Sequence, residues 1–318
     1  MTPELHFFVG KGGVGKSTTS ALTGLSLAAA GRKTLLVSMD PAHNQQDIFE
    51  TEFSEKPRRV CDGLSVKQVD TRRWMARYLK QTREHIRKTY LYQSAFNIQD
   101  HFKVLEFSPG LEEYALLMAF EDVVARSGDQ DAILFDMAPT ALSLRFFALP
   151  AITLIWLEKL LSLRMLICEK KEIISRIRIG RREIERDRVK NTLGDMIERH
   201  RRLRDLFLSD PARIHLVLND DRLSLSESIR IRDGLAVQGM AIDRLVVNRA
   251  DPAGSGGRIS RAFGSLPVSR LPAAPVAPIG LAALKQYLAA HPGAFHGFLP
   301  HHDLPLGPTL SESLMVAV

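Results

Sequence analysis

Cysteine is almost absent from this chain of 318 residues: Cys61 and Cys168 are the only two. They are far apart with no second thiol near either, which excludes a disulfide framework and a cysteine-based zinc clip and leaves two reduced, partly buried thiols. A basic and then apolar leader is missing after Met1-Thr2-Pro3-Glu4, and no uncharged apolar run approaches the roughly 20 residues of a membrane span. A cytoplasmic protein is therefore expected. Four of the histidines, His291, His296, His301 and His302, gather near the C-terminus, but Gly, Pro and Leu surround them without helical ligand spacing, which speaks against a metal site there. No repeat of a whole unit is visible. The remaining composition, 45% hydrophobic and 25% charged, is that of a globular protein able to bury one large core. One domain with an insertion suits this length better than two in tandem.

The informative stretch is Gly10-Lys11-Gly12-Gly13-Val14-Gly15-Lys16-Ser17-Thr18, preceded by the apolar run Leu5 to Val9 and followed by an Ala- and Leu-rich segment, 19 to 30. This order reads as strand, phosphate-binding loop, helix. Gly12, Gly13 and Gly15 are expected to take φ > 0, so that successive N–H groups converge on a phosphate at a helix N-terminus. Lys16 then reaches the β- and γ-phosphates of ATP, and the Ser17 hydroxyl ligates Mg²⁺. Lys11 is unusual, because a second lysine directly after the first glycine cannot easily serve its own nucleotide. It is either a solvated surface lysine or a group meant for another molecule.

Further along, Gly31 stops the first helix and residues 34 to 38 form a short buried strand. At its carboxyl end, where open α/β sheets bind ligands, stands Asp40, either facing the γ-phosphate or capping the next helix. Residues 64 to 69 form another strand, 70 to 94 a basic amphipathic helix with Trp74, Tyr78, Ile86 and Tyr90 near one face, and 103 to 107 lead to a core-facing helix over 111 to 126. The run 132 to 136 ends in Asp136, the usual Mg²⁺-side partner of a phosphate loop, and 137 to 140 follow as a loop that senses the γ-phosphate.

Between 151 and 210 the composition changes to a helical period with 15 Lys and Arg against 10 Asp and Glu, which holds five of the seven net positive charges. Its first part, 151 to 167, is apolar, and its second, 176 to 204, is arginine-laced and interrupted near Gly180. Strands resume at 214 to 219, 242 to 248 and 268 to 272, with a helix over 224 to 235, a flexible turn at 254 to 257 and a Pro-rich loop at 272 to 278. A short helix over 279 to 290 precedes a loosely held tail. The expected fold is α/β, a doubly wound, mostly parallel sheet of the P-loop NTPase type with a helical insertion. The ATPase domain would comprise 1–150 and 211–290, the insertion 151–210, and the tail 291–318.

Together the loop at 10 to 18, Asp40-Pro41-Ala42-His43-Asn44, Phe135-Asp136 through Arg145-Phe146, and Val246-Val247-Asn248-Arg249 resemble, in order, the blocks of the arsenical-pump-driving and tail-anchored-protein-targeting ATPases. The resemblance extends from residue 5 to about 288. It implies a nucleotide-dependent homodimer in which Lys11 acts across the interface, Lys16 clamps the β- and γ-phosphates, and Ser17 ligates Mg²⁺. It also implies that Asp40 orients the attacking water, Asp136 holds Mg²⁺ through water, and Asn248 bonds adenine beside the loop 272 to 278. The chain departs from the family at Ala141-Leu142, where a glycine and a histidine are usual. It also lacks the paired cysteines of the targeting branch and the clustered cysteines of the pump branch.

Three functions follow. The first is an ATP-driven dimer switch handling a membrane-protein cargo or partner, with 151 to 167 either a groove for a membrane-bound helix or a face packed on its own sheet. The second is the energising subunit of an arsenite or antimonite efflux pump, which the missing cysteines oppose. The third is a partitioning-type ATPase on nucleic acid or an anionic membrane, motivated by the net charge of +7 and the arginine run 176 to 204, with Arg181, Arg182, Arg186 and Arg188 the residues whose neutralisation would abolish such binding. Acidic residues interleaved through that run favour a solvated helix face over nucleic-acid binding.

Overall fold

A computed structural model describes residues 2–42, 44–89, 110–178, 188–250 and 257–299. Tyr90, the segment 103 to 107, the break near Gly180, residues 254 to 256 of the turn at 254 to 257, His301, His302 and Arg181, Arg182 and Arg186 all lie outside the described residues. Eight strands form one sheet in the order β3-β4-β2-β5-β1-β6-β7-β8, parallel throughout except for β3 against β4. The strands are β1 (Glu4–Val9), β2 (Thr34–Ser38), β3 (Arg58–Cys61), β4 (Leu64–Gln68), β5 (Ala132–Asp136), β6 (Ala212–Asn219), β7 (Arg244–Ala250) and β8 (Val268–Pro272). The central strands are apolar almost without interruption, as parallel strands covered on both faces must be.

Helices α1 (Lys16–Ala29), α2 (Asn44–Phe49), α3 (Thr71–Thr89) and α4 (Leu111–Arg126) connect the first half. Helix α5 (Thr140–Arg178) and helix α6 (Arg188–Phe207) follow, then α7 (Arg222–Val237), α8 (Gly257–Phe263) and α9 (Leu281–Ala290). The main core joins Phe8 of β1, Leu22 and Leu25 of α1, Leu36, Leu134, Val217 and Val246 of the sheet, and Leu284 of α9.

Three expectations need correction. The edge strand β3 was not foreseen, because Arg58 and Arg59 are exposed and give it no alternating apolar face. The long helix begins at Thr140, not at 151, because nothing between Thr140 and Ala151 breaks a helix except Pro150, which only removes the bond to the Phe146 carbonyl. The segment after 290 is not loosely held over its first residues. Pro292–Phe298 is a 3₁₀ helix, and with three residues per turn Phe295 and Phe298 fall on one face and enter the core with Leu299.

The chain divides into two compact units, Met1–Phe146 with Asp210–Val318, and Phe147–Ser209. The second unit is a helix pair whose small core is Leu154, Leu157 and Ile197, flanked by Leu161, Leu193 and Met196. On the same stretch of α5, Ile152, Ile155, Trp156, Leu163, Met165 and Leu166 are exposed. By length and composition alone, Thr140–Glu169 is apolar enough to cross a membrane, a property that core helices share.

At the edge of β1 away from the phosphate loop, Glu4 accepts from Arg32 at 2.8 Å and lies 3.3 Å from the His6 ring, whose other nitrogen meets His215 of β6 at 2.9 Å. The His6 hydrogen bond and the Arg32 charge hold the Glu4 carboxyl down at about 2. A depressed carboxyl stabilises the fold above its unfolded pKa and loses that contribution as pH falls through its folded one. Glu4→Gln should therefore cost about 1 kcal/mol at neutral pH, after discounting for a partly exposed carboxylate. In urea melts the difference from wild type should shrink as pH falls from about 4.5 toward 2.

Candidate functional site

Strand registers gather the site. Phe8 of β1 and Ser38 of β2 both pair with Asp136 of β5, so the phosphate loop after β1, the Asp40 loop after β2 and the Asp136 carboxylate emerge side by side at the carboxyl ends of three adjacent strands. The backbone locks this junction, with Met39 N–H donating to the Asp136 carbonyl at 2.9 Å and Met137 N–H to the Phe8 carbonyl at 3.2 Å.

The loop's glycines do different work. Gly13 and Gly15 have φ of +80° and +93°, conformations that side chains resist, whereas Gly12 does not, so only two of the three expected positive angles occur. At Gly10 the constraint is space, since a Cβ there would lie 2.3 Å from the Val217 carbonyl oxygen. Val14 anchors the loop in the core, and its carbonyl accepts from the Asn248 amide at 2.8 Å. Asn248 stands at an irregular point where the β7–β8 register shifts between Val247 and Ala250 and Arg249 takes φ +51°. In this structure the Asn248 side chain buttresses the phosphate loop, a contact that sequence reasoning missed.

Lys16 opens α1 with Ser17 and is buried, its Nζ donating to the Lys11 carbonyl at 3.3 Å. Burial lowers the Lys16 pKa, and the charges of Asp136 and Asp40 oppose that. Thr18 is half-buried in the first turn, and Lys11 is half-buried at the start of the loop. Asp40, itself buried, accepts from the Ala42 N–H at 3.0 Å and from Asn44 Nδ2 at 3.4 Å. It thus organises the turn into α2 as well as standing among the charged groups of the site.

Asp136 is wholly buried. Burial pushes its carboxyl up to about 6 against the lowering effects of the Ser17 hydroxyl, the Gln45 amide and the Lys16 charge. Its Oδ2 accepts from Gln45 at 2.9 Å, and its Oδ1 has no hydrogen-bond partner among the described residues. An orphaned carboxylate oxygen beside a serine hydroxyl is a hard-oxygen donor set that fits Mg²⁺. Ser17 and Asp136 are the residues that would hold the ion, which when bound neutralises charge on the β- and γ-phosphates. The expected sensing loop is short: Met137 and Ala138 are buried, and Thr140 already opens α5.

A parallel sheet whose central strand runs into a glycine-lined phosphate loop, with buried Lys16 and an aspartate closing the adjacent strand, defines a P-loop nucleotide hydrolase. The comparison with known proteins places it more closely. The family model for anion-transporting ATPases matches residues 4–256, and the chain belongs to that family. ATP hydrolysis is the activity that the family's description names. A candidate arsenical pump-driving ATPase of Aquifex aeolicus is 28% identical over 260 residues, covering 78% of this chain and 64% of the relative. A homologue of ATPase ASNA1 from Entamoeba dispar is 30% identical over 253 residues, 77% of this chain and 76% of the relative. ATPase get3 of Schizosaccharomyces japonicus is 33% identical over 162 residues, 49% of this chain and 45% of the relative. This chain thus spans just under two thirds of the Aquifex relative's length.

Gly10→Ala should destabilise the protein by about 1–3 kcal/mol, because the new methyl meets backbone that cannot withdraw. Gly12→Ala, whose methyl would meet nothing within 4 Å, should stay within about 0.5 kcal/mol of wild type in the same thermal melts.

Proposed function

We propose that the protein is a cytoplasmic, Mg²⁺-dependent ATPase acting as a nucleotide-driven homodimer switch, with Lys11 of each chain reaching the phosphates held by the other. The observation that carries this reading is the contrast between two lysines of one loop. Lys16 is buried and committed to the site, whereas Lys11 is half-exposed and no carboxylate among the described residues pairs with it. A cation without a carboxylate partner among the described residues, beside a phosphate site, is suited to a phosphate that arrives with another molecule. Within the site, Lys16 clamps the β- and γ-phosphates, Asp40 orients the attacking water, Ser17 and Asp136 hold the metal ion, and Asn248 serves adenine as well as the loop.

The output of the switch is the handling of a membrane-protein segment by the helix pair. Six large apolar side chains between Ile152 and Leu166 stand exposed there, with Trp156 at 68%, so the apolar stretch is only partly consumed by its own core. A second reading, an energising subunit for an arsenical pump, draws on the Aquifex relative's name. Against it, the two thiols belong to different units, and among the described residues no three His, Cys, Asp or Glu side chains are grouped to hold a metal. Nucleic-acid binding finds little support in the described part of α6, where Arg201, Arg202 and Arg204 pair with Glu198, Glu158 and Asp205.

Light scattering with Mg²⁺ and a non-hydrolysable ATP analogue tests the switch. Wild type should shift from monomer to dimer, or compact an existing dimer, and Lys11→Ala should not respond while still binding the analogue. Identical behaviour of the two proteins would contradict the role given to Lys11.

A further inference from the structure

Gln45, directly after Asn44 in α2, has no accessible surface, yet it is polar and reaches across to the metal side of the site. Its Nε2 lies 2.9 Å from Asp136 Oδ2, 3.1 Å from the Ser17 carbonyl and 3.0 Å from Ser20 Oγ. Three acceptors surround a group that carries only two hydrogens. The Ser20 hydroxyl does not relieve the excess, because it donates its own hydrogen to the Ser17 carbonyl at 3.0 Å.

The amide orientation follows from this crowd. Turned over, Gln45 would set its oxygen against a carboxylate and a carbonyl, so the nitrogen belongs on that side. The cost is visible on the other side, where Oε1 is buried without a hydrogen-bond partner among the described residues. An apolar side chain of equal volume would fill the same space without that orphaned oxygen, at the cost of the amide that Asp136 Oδ2 accepts from. For packing alone, then, glutamine is a poor choice at this position.

What the amide does accomplish is a link. Asp40 holds the turn into α2 through the Ala42 N–H and Asn44, and Gln45 follows at once and grips Asp136. The group placed toward the γ-phosphate and the group placed toward the metal ion are thereby joined through one short stretch of chain, 40 to 45.

We propose that Gln45 is a positioning residue for the metal side of the site: its amide holds Asp136 Oδ2, leaves Oδ1 for the ion's hydration shell, and couples the Asp40 loop to that carboxylate. The inference rests on the reading of Asp136 as the metal-side carboxylate. Hydrogen-bonded partners of this kind set metal affinity by orienting the group that meets the ion.

The test measures affinity of the full-length protein for a fluorescent ATP analogue in EDTA and across a Mg²⁺ titration, together with thermal melting without nucleotide. The proteins are wild type, Gln45→Met, Gln45→Leu and Asp136→Asn. Both Gln45 variants should keep the wild-type affinity in EDTA, while the Mg²⁺ concentration needed for half of the metal-dependent tightening rises about tenfold. Their melting temperatures should stay within a few degrees of wild type, because the removal of an unsatisfied buried oxygen is offset by the loss of the amide that Asp136 Oδ2 accepts from. If the Gln45 variants follow the wild-type Mg²⁺ curve while Asp136→Asn loses the tightening, the inference alone is overturned. Should binding in EDTA and in Mg²⁺ weaken equally with a drop in melting temperature, Gln45 is packing and the inference is also overturned. Wild-type Mg²⁺ dependence in Asp136→Asn would remove the reading of Asp136 and the inference with it.

Discussion

An ammonium and two carboxylates lie below the surface at one end of the central strands, and the rest of the molecule is arranged around keeping them there. Burial pulls Lys16 and Asp136 toward their neutral forms, and their mutual charge resists. Such a group is expensive for a protein to hold without a charged ligand to complete it. The phosphate loop supplies the place for that ligand: N–H groups at the start of α1, glycines where a Cβ would strain or collide, and a core residue, Val14, to pin the turn. Gly10 closes against the Val217 carbonyl and Gly15 against Asn248, so strands β6 and β7 shape a loop that belongs to β1.

Much of this was readable from residues alone. Gly10 to Thr18 announces itself by composition between an apolar run and a helix-forming one, and Asp136 by ending a strand. Both signals are local, so they survive without tertiary information. The signals that failed are those whose partners come from distant segments. Gln45 reads as one polar residue among several in a short helix, and only the meeting of β5 with α2 makes it a partner of Asp136. The hydrogen bond of Asn248 to the Val14 carbonyl is not legible either, because it depends on the irregular turn at Arg249. Likewise Phe295 and Phe298 lie among Gly and Pro, and only the 3₁₀ spacing places both rings in the core.

The helix pair follows another logic. Leu154, Leu157 and Ile197 consume one face of the apolar stretch, and the exposed face beyond it has no counterpart in that small core. A surface of this kind adds nothing to folding. The two units thus differ in chemistry, with buried charge in one and exposed apolar surface in the other.

The most direct measurement is single-turnover hydrolysis of ATP by wild type and Asp40→Asn, with nucleotide binding followed in parallel. Asparagine retains an oxygen for the Ala42 N–H, so the turn into α2 and the affinity for ATP should persist. Phosphate release should fall by about a hundredfold or more, the range expected when a group positioned on the attacking water is lost. Wild-type turnover in Asp40→Asn would contradict the account of the site.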